Sequence, residues 1–174
     1  MNIKSKIREI PDWPIKGVNF KDITTLLQDA EAFKFAIDAM AEPFKNKGVN
    51  KIVVIDARGF LLGAAMAYKM NVGVCLVRKK GKLPYKTIEE KYLKEYGEDI
   101  LTMHEDAILP GENILMVDDL IATGGSMQAA VSMVEKLGGN IVGISVAIDL
   151  PFLGGSAKFK GKYDVKCLVE YYSE

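Results

Sequence analysis

Short apolar runs recur along this chain, and the segments between them carry helical spacing. Residues 52–55, 72–77, 113–117 and 141–148 each read as a strand that is apolar on both faces. Helices are predicted between them over 60–70, rich in small residues, and over 126–137, closed by Gly138-Gly139. A fifth strand over 163–171 places Tyr163, Val165, Cys167, Val169 and Tyr171 on one face, the pattern of an edge. Upstream, Phe33, Ile37, Met40 and Phe44 recur every three to four residues behind Asp29. That spacing predicts a helix capped by Asp29, shortened at Pro43 and stopped by Gly48. Strands hidden on both faces and alternating with helices predict an α/β fold, a mostly parallel sheet of about five strands flanked by helices. In such sheets ligands bind beyond the C-terminal ends of the strands.

A chain of 174 residues fits one domain, 1–174, and buries a core without a disulfide or metal staple. Two segments break the pattern. Residues 1–28 are irregular and form an N-terminal hood, in which Trp13, among the turn residues Pro11, Asp12 and Pro14, is expected to plug the underside of a loop. Residues 78–109, rich in Lys and Glu and holding Gly81, Pro84 and Gly97, form a long flexible loop or hairpin arm. Lys+Arg and Asp+Glu both number 23, so no global basic field exists to hold nucleic acid. The longest apolar stretches fall short of a span of about 20 residues, which argues against a membrane partner. The N-terminus carries no apolar signal segment, and Cys75 and Cys167, inside apolar runs, read as buried reduced thiols. A cytoplasmic enzyme or binding protein is the expectation.

The sharpest chemical signal is the run from Ile114 to Ser126. An apolar strand leads into Asp118-Asp119; then come Ala122, Thr123, Gly124 and Gly125, and a helix begins at Ser126. Small residues let backbone N–H groups converge on one point, and the helix N-terminus behind them adds partial positive charge. Such a point attracts phosphate, and the Thr123 and Ser126 hydroxyls can donate to the same anion. Asp118 and Asp119, adjacent at a strand end, are expected to diverge. They would repel a phosphate but suit ribose hydroxyls or a water-bridged Mg²⁺. A capped helix beside two surface acids would explain either half of this run alone, but not both halves in this order. Neither G-x-x-x-x-G-K-[ST] nor G-x-G-x-x-G after the first strand is present.

The strand, twin acids and small-residue loop resemble the phosphoribosyl-pyrophosphate motif of the purine-salvage phosphoribosyltransferases. Three further segments are similar to the adenine phosphoribosyltransferase family. Ile55-Asp56-Ala57-Arg58-Gly59-Phe60-Leu61-Leu62-Gly63 resembles its pyrophosphate loop, and Gly17-Val18-Asn19-Phe20-Lys21-Asp22-Ile23 its base-binding segment. Arg78-Lys79-Lys80-Gly81-Lys82-Leu83-Pro84 with Glu95-Tyr96-Gly97 resembles its flexible catalytic loop. The matches run in family order from about Pro11 to Leu137.

The resemblance implies a phosphoribosyltransferase-type fold and the purine-salvage transfer of a 5-phosphoribosyl group from phosphoribosyl pyrophosphate to adenine, giving AMP and pyrophosphate with Mg²⁺. It places the 5'-phosphate on Ala122, Thr123, Gly124, Gly125 and Ser126, and the ribose hydroxyls on Asp118 and Asp119. No protein side chain is expected to ligate the metal directly, with Asp118 and Asp119 reaching it through water. Pyrophosphate falls to Ala57, Arg58 and Gly59, with Arg78, Lys79 and Lys82 adding charge. Glu95 is implied as the general acid/base, beside Arg58 as the second catalytic group, and Tyr96 helps close the loop. Adenine falls to Asn19, Phe20 and Lys21, read through the Asn19 carbonyl and the Lys21 N–H, with Phe20 stacking. Asn19 and Lys21 depart from the commoner apolar residue and Arg. The resemblance also implies a homodimer, with 78–109 as a plausible exchange surface, and a non-proline cis peptide is common in the family's pyrophosphate loop. Two alternatives stay open: transfer to another purine base, and a regulator that senses phosphoribosyl pyrophosphate without catalysis. His104, lacking a His or Cys at ligand spacing, reads as structural.

Overall fold

The computed structural model describes residues 1–94 and 97–174. Where irregular chain was expected in 1–28, β1 (Arg8–Ile10) and β2 (Phe20–Asp22) form a separate antiparallel ribbon. Helices α1 (Thr24–Gln28) and α2 (Ala30–Ala41) follow, then β3 (Lys51–Ile55), α3 (Arg58–Met70) and β4 (Gly73–Lys79). Next come β5 (Thr87–Lys94), β6 (Gly97–His104), β7 (Asn113–Ile121) and α4 (Gly125–Lys136). The chain ends with β8 (Asn140–Asp149), the short α5 (Ala157–Lys160) and β9 (Val165–Glu170).

The main sheet has seven strands in the order β5-β6-β4-β3-β7-β8-β9. Strands β4, β3, β7, β8 and β9 are mutually parallel, and these are the five expected from the apolar runs. The other two correct the count. They are the arm, which is an antiparallel hairpin joined to β4 rather than a loop. Its alternation was masked by charge: Glu89, Glu90, Lys91 and Lys94 supply few apolar positions from which a strand period can be read.

Each central strand divides its side chains between two core layers. Ile52 and Val54 of β3 pack with Ile37, Met40 and Phe44 and with Leu62 and Met66 of α3. Val53 and Ile55 pack on the other face against Met127, Ala130, Val131 and Val134 of α4. Each fully buried aliphatic or aromatic side chain contributes about 1.5–3 kcal/mol. Asp29 caps α2 as expected, accepting the Ala32 N–H at 3.0 Å. That helix ends at Ala41 and tightens into a 3₁₀ turn over Glu42–Phe44 that contains Pro43, so Gly48 lies in the turn beyond rather than at the helix end.

Other expectations are corrected too. Trp13 is not a plug: it is 51% exposed, its ring standing edge-on to Phe20 at 4.5 Å. Nothing in the short hood is thick enough to cover it. Cys75 is buried but Cys167 only half so, because β9 is the sheet edge. Strand β9 begins at Val165 rather than Tyr163. His104 is structural, its Nε2 accepting the Tyr85 N–H at 3.4 Å. Two cis peptides are present among the described residues, at Trp13–Pro14 and at Asp56–Ala57, the latter where the resemblance implied one. No helix among the described residues is long and apolar enough to cross a membrane.

Helix α3 lies close on β3 because Gly63 has no side chain. A Cβ there would fall 1.9 Å from Val54 Cγ1. Gly63→Ala therefore forces the helix and strand apart, and overpacking of this kind costs about 1–3 kcal/mol, more than the roughly 1 kcal/mol gained in helix propensity. Urea unfolding should show a lower midpoint for Gly63→Ala. An unchanged or higher midpoint would mean the contact is looser than described.

Candidate active site

A cavity of about 580 Å³ opens at the C-terminal ends of β3 and β7. Ala57, Arg58, Lys79, Asp118, Asp119 and the whole loop from Ala122 to Ser126 line it, and Tyr92 and Leu93 of the arm close its side. The position is the one a parallel sheet offers, where strand ends meet helix starts.

Two helices begin at this cavity without a side-chain cap. Helix α3 has Ala57 at its N-cap and α4 has Gly124, and neither residue has a side chain able to accept a first-turn N–H. Helix N-termini normally recruit Ser, Thr, Asp or Asn for that purpose. Here the N–H groups and the positive end of each helix dipole are left for an anion, one at each side of the cavity. Gly124 sits at φ +83°, in the left-handed region, and so turns the loop into α4.

Between the two anion positions stand the twin acids. Strand β7 does not stop at Val117 but runs on through Asp118 and Asp119 to Ile121, held by parallel pairing to β8. The acids are therefore strand residues, each only 7% exposed. Asp118 tucks beneath α3, where a Cβ on Gly59 would lie 2.7 Å from its Oδ1. The same Oδ1 accepts the Asp119 N–H at 2.8 Å, so the pair interacts rather than simply diverging. Burial, then the charge of Asp119, raises the Asp118 carboxyl well above the usual range. Burial also raises Asp119, and the nearby Arg58 guanidinium partly offsets it.

Arg58 Nε lies 2.7 Å from Asp119 Oδ2, an ion pair across the cavity wall. The pair is not aligned as a hydrogen bond, and Asp119 Oδ2 has no hydrogen-bond partner among the described residues. On its other side the Arg58 guanidinium rests 4.9 Å from the centre of the Phe20 ring. Arg58 thus links the hood to the acids. Arg78 stands behind it, with Nε on Asp56 Oδ2 at 3.0 Å and Nη1 on the Lys82 carbonyl at 3.4 Å.

The structure gathers most of the expected site. Ala57, Arg58, Lys79, Asp118, Asp119 and Ala122–Ser126 share one cavity. Gly59 backs Asp118 instead of lining the wall, and Arg78 and Lys82 stand outside it. Asn19, Phe20 and Lys21 lie on the hood, joined to the cavity through Phe20 and Arg58. The Lys21 side chain is buried and turned away, bonded to Glu9 at 2.9 Å and 4.4 Å from the Tyr171 ring centre. The Asn19 N–H donates to Glu174 Oε2 at 2.8 Å. Glu95 and Tyr96 lie outside the described residues.

Three contributors escaped the sequence reading. Gly155 bonds the Ala122 carbonyl at 3.1 Å through its N–H, and a Cβ there would fall 2.2 Å from that oxygen. Lys158 Nζ donates to the Thr123 carbonyl at 2.8 Å. Both brace the loop from a segment 30 residues downstream, for which Gly154-Gly155 was the only local signal. Glu90 pins the arm to α4, accepting from Ser132 Oγ at 3.2 Å and pairing with Lys136.

Comparison with known proteins agrees with this geometry. The phosphoribosyl transferase domain family matches residues 24–170. The adenine phosphoribosyltransferase of Brachyspira hyodysenteriae is 56% identical over 171 residues, covering 98% of this chain and 100% of that one. The crystal structure of the Thermoanaerobacter pseudethanolicus adenine phosphoribosyltransferase superposes with a TM-score of 0.93 at 46% identity, covering 97% of this chain and 98% of that chain. The Saccharomyces cerevisiae enzyme, solved with D-2,5-dideoxy-2,5-imino-altritol 1,6-bisphosphate and adenine, gives 0.90 at 36% identity and covers 96% of both chains. With the twin acids, the two uncapped helices and these likenesses in agreement, the chain belongs to the adenine phosphoribosyltransferase family of phosphoribosyltransferases.

Proposed function

We propose that this chain transfers the 5-phosphoribosyl group of phosphoribosyl pyrophosphate to adenine in purine salvage, releasing AMP and pyrophosphate. The observation that carries the reading is that two uncapped helix N-termini and one buried acid pair line a single cavity. A substrate with a phosphate at one end, a diol in the middle and a pyrophosphate at the other matches that order. The N–H groups of 122–126 hold the 5'-phosphate, with the Thr123 and Ser126 hydroxyls donating as well. Asp118 and Asp119 accept from the 2'- and 3'-hydroxyls. Ala57 and Arg58 at the start of α3 face the pyrophosphate, with Lys79 on the same wall.

In the reaction the bond from C1' to the pyrophosphate oxygen breaks and a bond from C1' to adenine N9 forms. Pyrophosphate leaves with the electron pair, and the N9 proton passes to a base. That base is Glu95 in this reading, on the strength of the resemblance alone. Arg58 stabilises the departing anion. The ionised acids hold the ribose in line for attack. Asp118 and Asp119 would hold a Mg²⁺ ion through water, since Asp119 Oδ2, ion-paired with Arg58 but without a hydrogen bond among the described residues, could accept from a metal-bound water. When bound, it neutralises charge on the pyrophosphate. Phe20 stacks the base, and the backbone of Asn19 and Lys21 reads its edge. The reading also includes a cytoplasmic homodimer. Leu61 and Tyr68 on α3 and Val74 and Leu76 on β4 are all exposed, an apolar surface suited to a second copy, while the arm packs on its own α4.

Two outcomes test the assignment. Supplied with phosphoribosyl pyrophosphate and Mg²⁺, the protein should form AMP from adenine and turn over hypoxanthine or xanthine poorly. A 6-oxopurine preference would transfer the assignment to the alternative base. Glu95→Gln should lower kcat by about 10²–10⁴, and undiminished turnover would remove Glu95 from the proton step.

The acid pair generates a separate expectation. A raised carboxyl pKa means that ionised Asp118 opposes folding above the shifted value, and that this penalty fades as pH falls through that value toward the ordinary carboxylate range. Asparagine at this position keeps the oxygen that accepts the Asp119 N–H. Asp118→Asn should therefore raise the thermal midpoint of the free protein at neutral pH and flatten its pH dependence. The same change should lower kcat/KM about 10- to 100-fold, the loss of a charge-assisted hydrogen bond to substrate. A destabilised variant would contradict the burial argument.

A further inference from the structure

A second group of ligand-type side chains sits on β8 and β9, none of them lining the cavity described above. Asp149, Cys167 and Glu170 each bring a ligand atom within 4.8 Å of the others. Strict strand alternation would not put them together. Ala147 and Ile148 are consecutive yet pack into the same core layer, and so do Leu168 and Val169. Val146 and Cys167, just before these slips, pack into the opposite layer. The matched slips turn Asp149 and Glu170 round to the face of Cys167.

The group is left with an unfilled valence. Asp149 is 1% exposed. Its Oδ2 accepts from Lys160 Nζ at 3.3 Å, but its Oδ1 is buried with no hydrogen-bond partner among the described residues. An unpaired buried acceptor destabilises the fold, and the transferase reaction makes no use of this one. Cys167 Sγ lies 3.7 Å from Glu170 Oε1, and Lys160 Nζ is 3.9 Å from the same oxygen.

We propose that Asp149, Cys167 and Glu170 form a binding site for a borderline divalent transition-metal ion, with Zn²⁺ as its representative. One thiolate with two carboxylates is a zinc-type donor set, whereas Mg²⁺ and Ca²⁺ take oxygen ligands. Ligand atoms on a tetrahedral zinc lie about 3.5 Å apart, so the cluster, whose ligand atoms lie within 4.8 Å of one another, would draw together on binding. Water takes the fourth position. On binding, the S–H bond is replaced by a sulfur–metal bond and the proton goes to solvent. Lys160, half-exposed on α5, swings outward and remains close enough to balance the single negative charge of the filled site.

Titration of the full chain with Co²⁺ tests this, because a cobalt–thiolate bond absorbs in the near ultraviolet and cobalt on carboxylates such as Asp118 and Asp119 does not. The band should saturate at one equivalent, vanish in Cys167→Ser, persist in Cys75→Ser and be removed by added Zn²⁺. Asp149→Asn should weaken Co²⁺ binding at least about tenfold. In the unmutated protein, saturating Zn²⁺ should slow alkylation of Cys167, followed by mass spectrometry, which keeps the test independent of whether the variants fold. Absence of the band, its survival in Cys167→Ser, or alkylation of Cys167 unaffected by Zn²⁺ would overturn the proposal.

Discussion

The site depends on two carboxylates held in the sheet where water can barely reach them. Continuous pairing of β7 with β8 carries the strand past Val117, and that extension draws Asp118 and Asp119 into the protein. Burial disfavours their charge, and the approach of Arg58 to 2.7 Å of Asp119 only partly compensates. A ligand that donates two hydroxyls to these oxygens relieves the deficit.

The surrounding elements hold that pair in place. Helix α3 approaches closely enough that Gly59 and Gly63 have no room for a side chain. Gly155 and Lys158 brace the Ala122 and Thr123 carbonyls of the loop that lines the cavity. The arm lies over the same loop: a Cβ on Gly125 would come within 3.1 Å of the Leu93 carbonyl. Glu90, gripping Ser132 and Lys136, holds the arm in this closed position without touching the cavity. The hood connects through the stack of Arg58 on Phe20. A single arginine therefore spans the acids, the start of α3 and the base-side segment.

The five parallel strands were legible because burial on both faces leaves no room for polar residues, so Ile52-Val53-Val54-Ile55 and its counterparts stand out. The small-residue loop that lines the cavity was legible for a related reason: close backbone approach excludes large side chains, and Thr123, Gly124 and Gly125 show that exclusion. The hairpin arm was less so, since its exposed face admits any charge and only one face packs on α4. Trp13 misled because a large aromatic was assumed to need cover, while the hood is a two-stranded ribbon with little depth. Gly155, Lys158 and Glu90 act across long sequence separations, and no local period records such contacts. The Lys21 side chain turns toward Glu9 through the pairing of β1 with β2, a contact that the sequence pattern alone did not record.

The most direct test of the central claim is a crystal structure of this chain with AMP bound. The account predicts the 5'-phosphate on the N–H groups of 122–126, and both ribose hydroxyls within hydrogen-bond distance of Asp118 and Asp119. AMP seated at another surface, or in this cavity with its ribose turned away from the two acids, would contradict it.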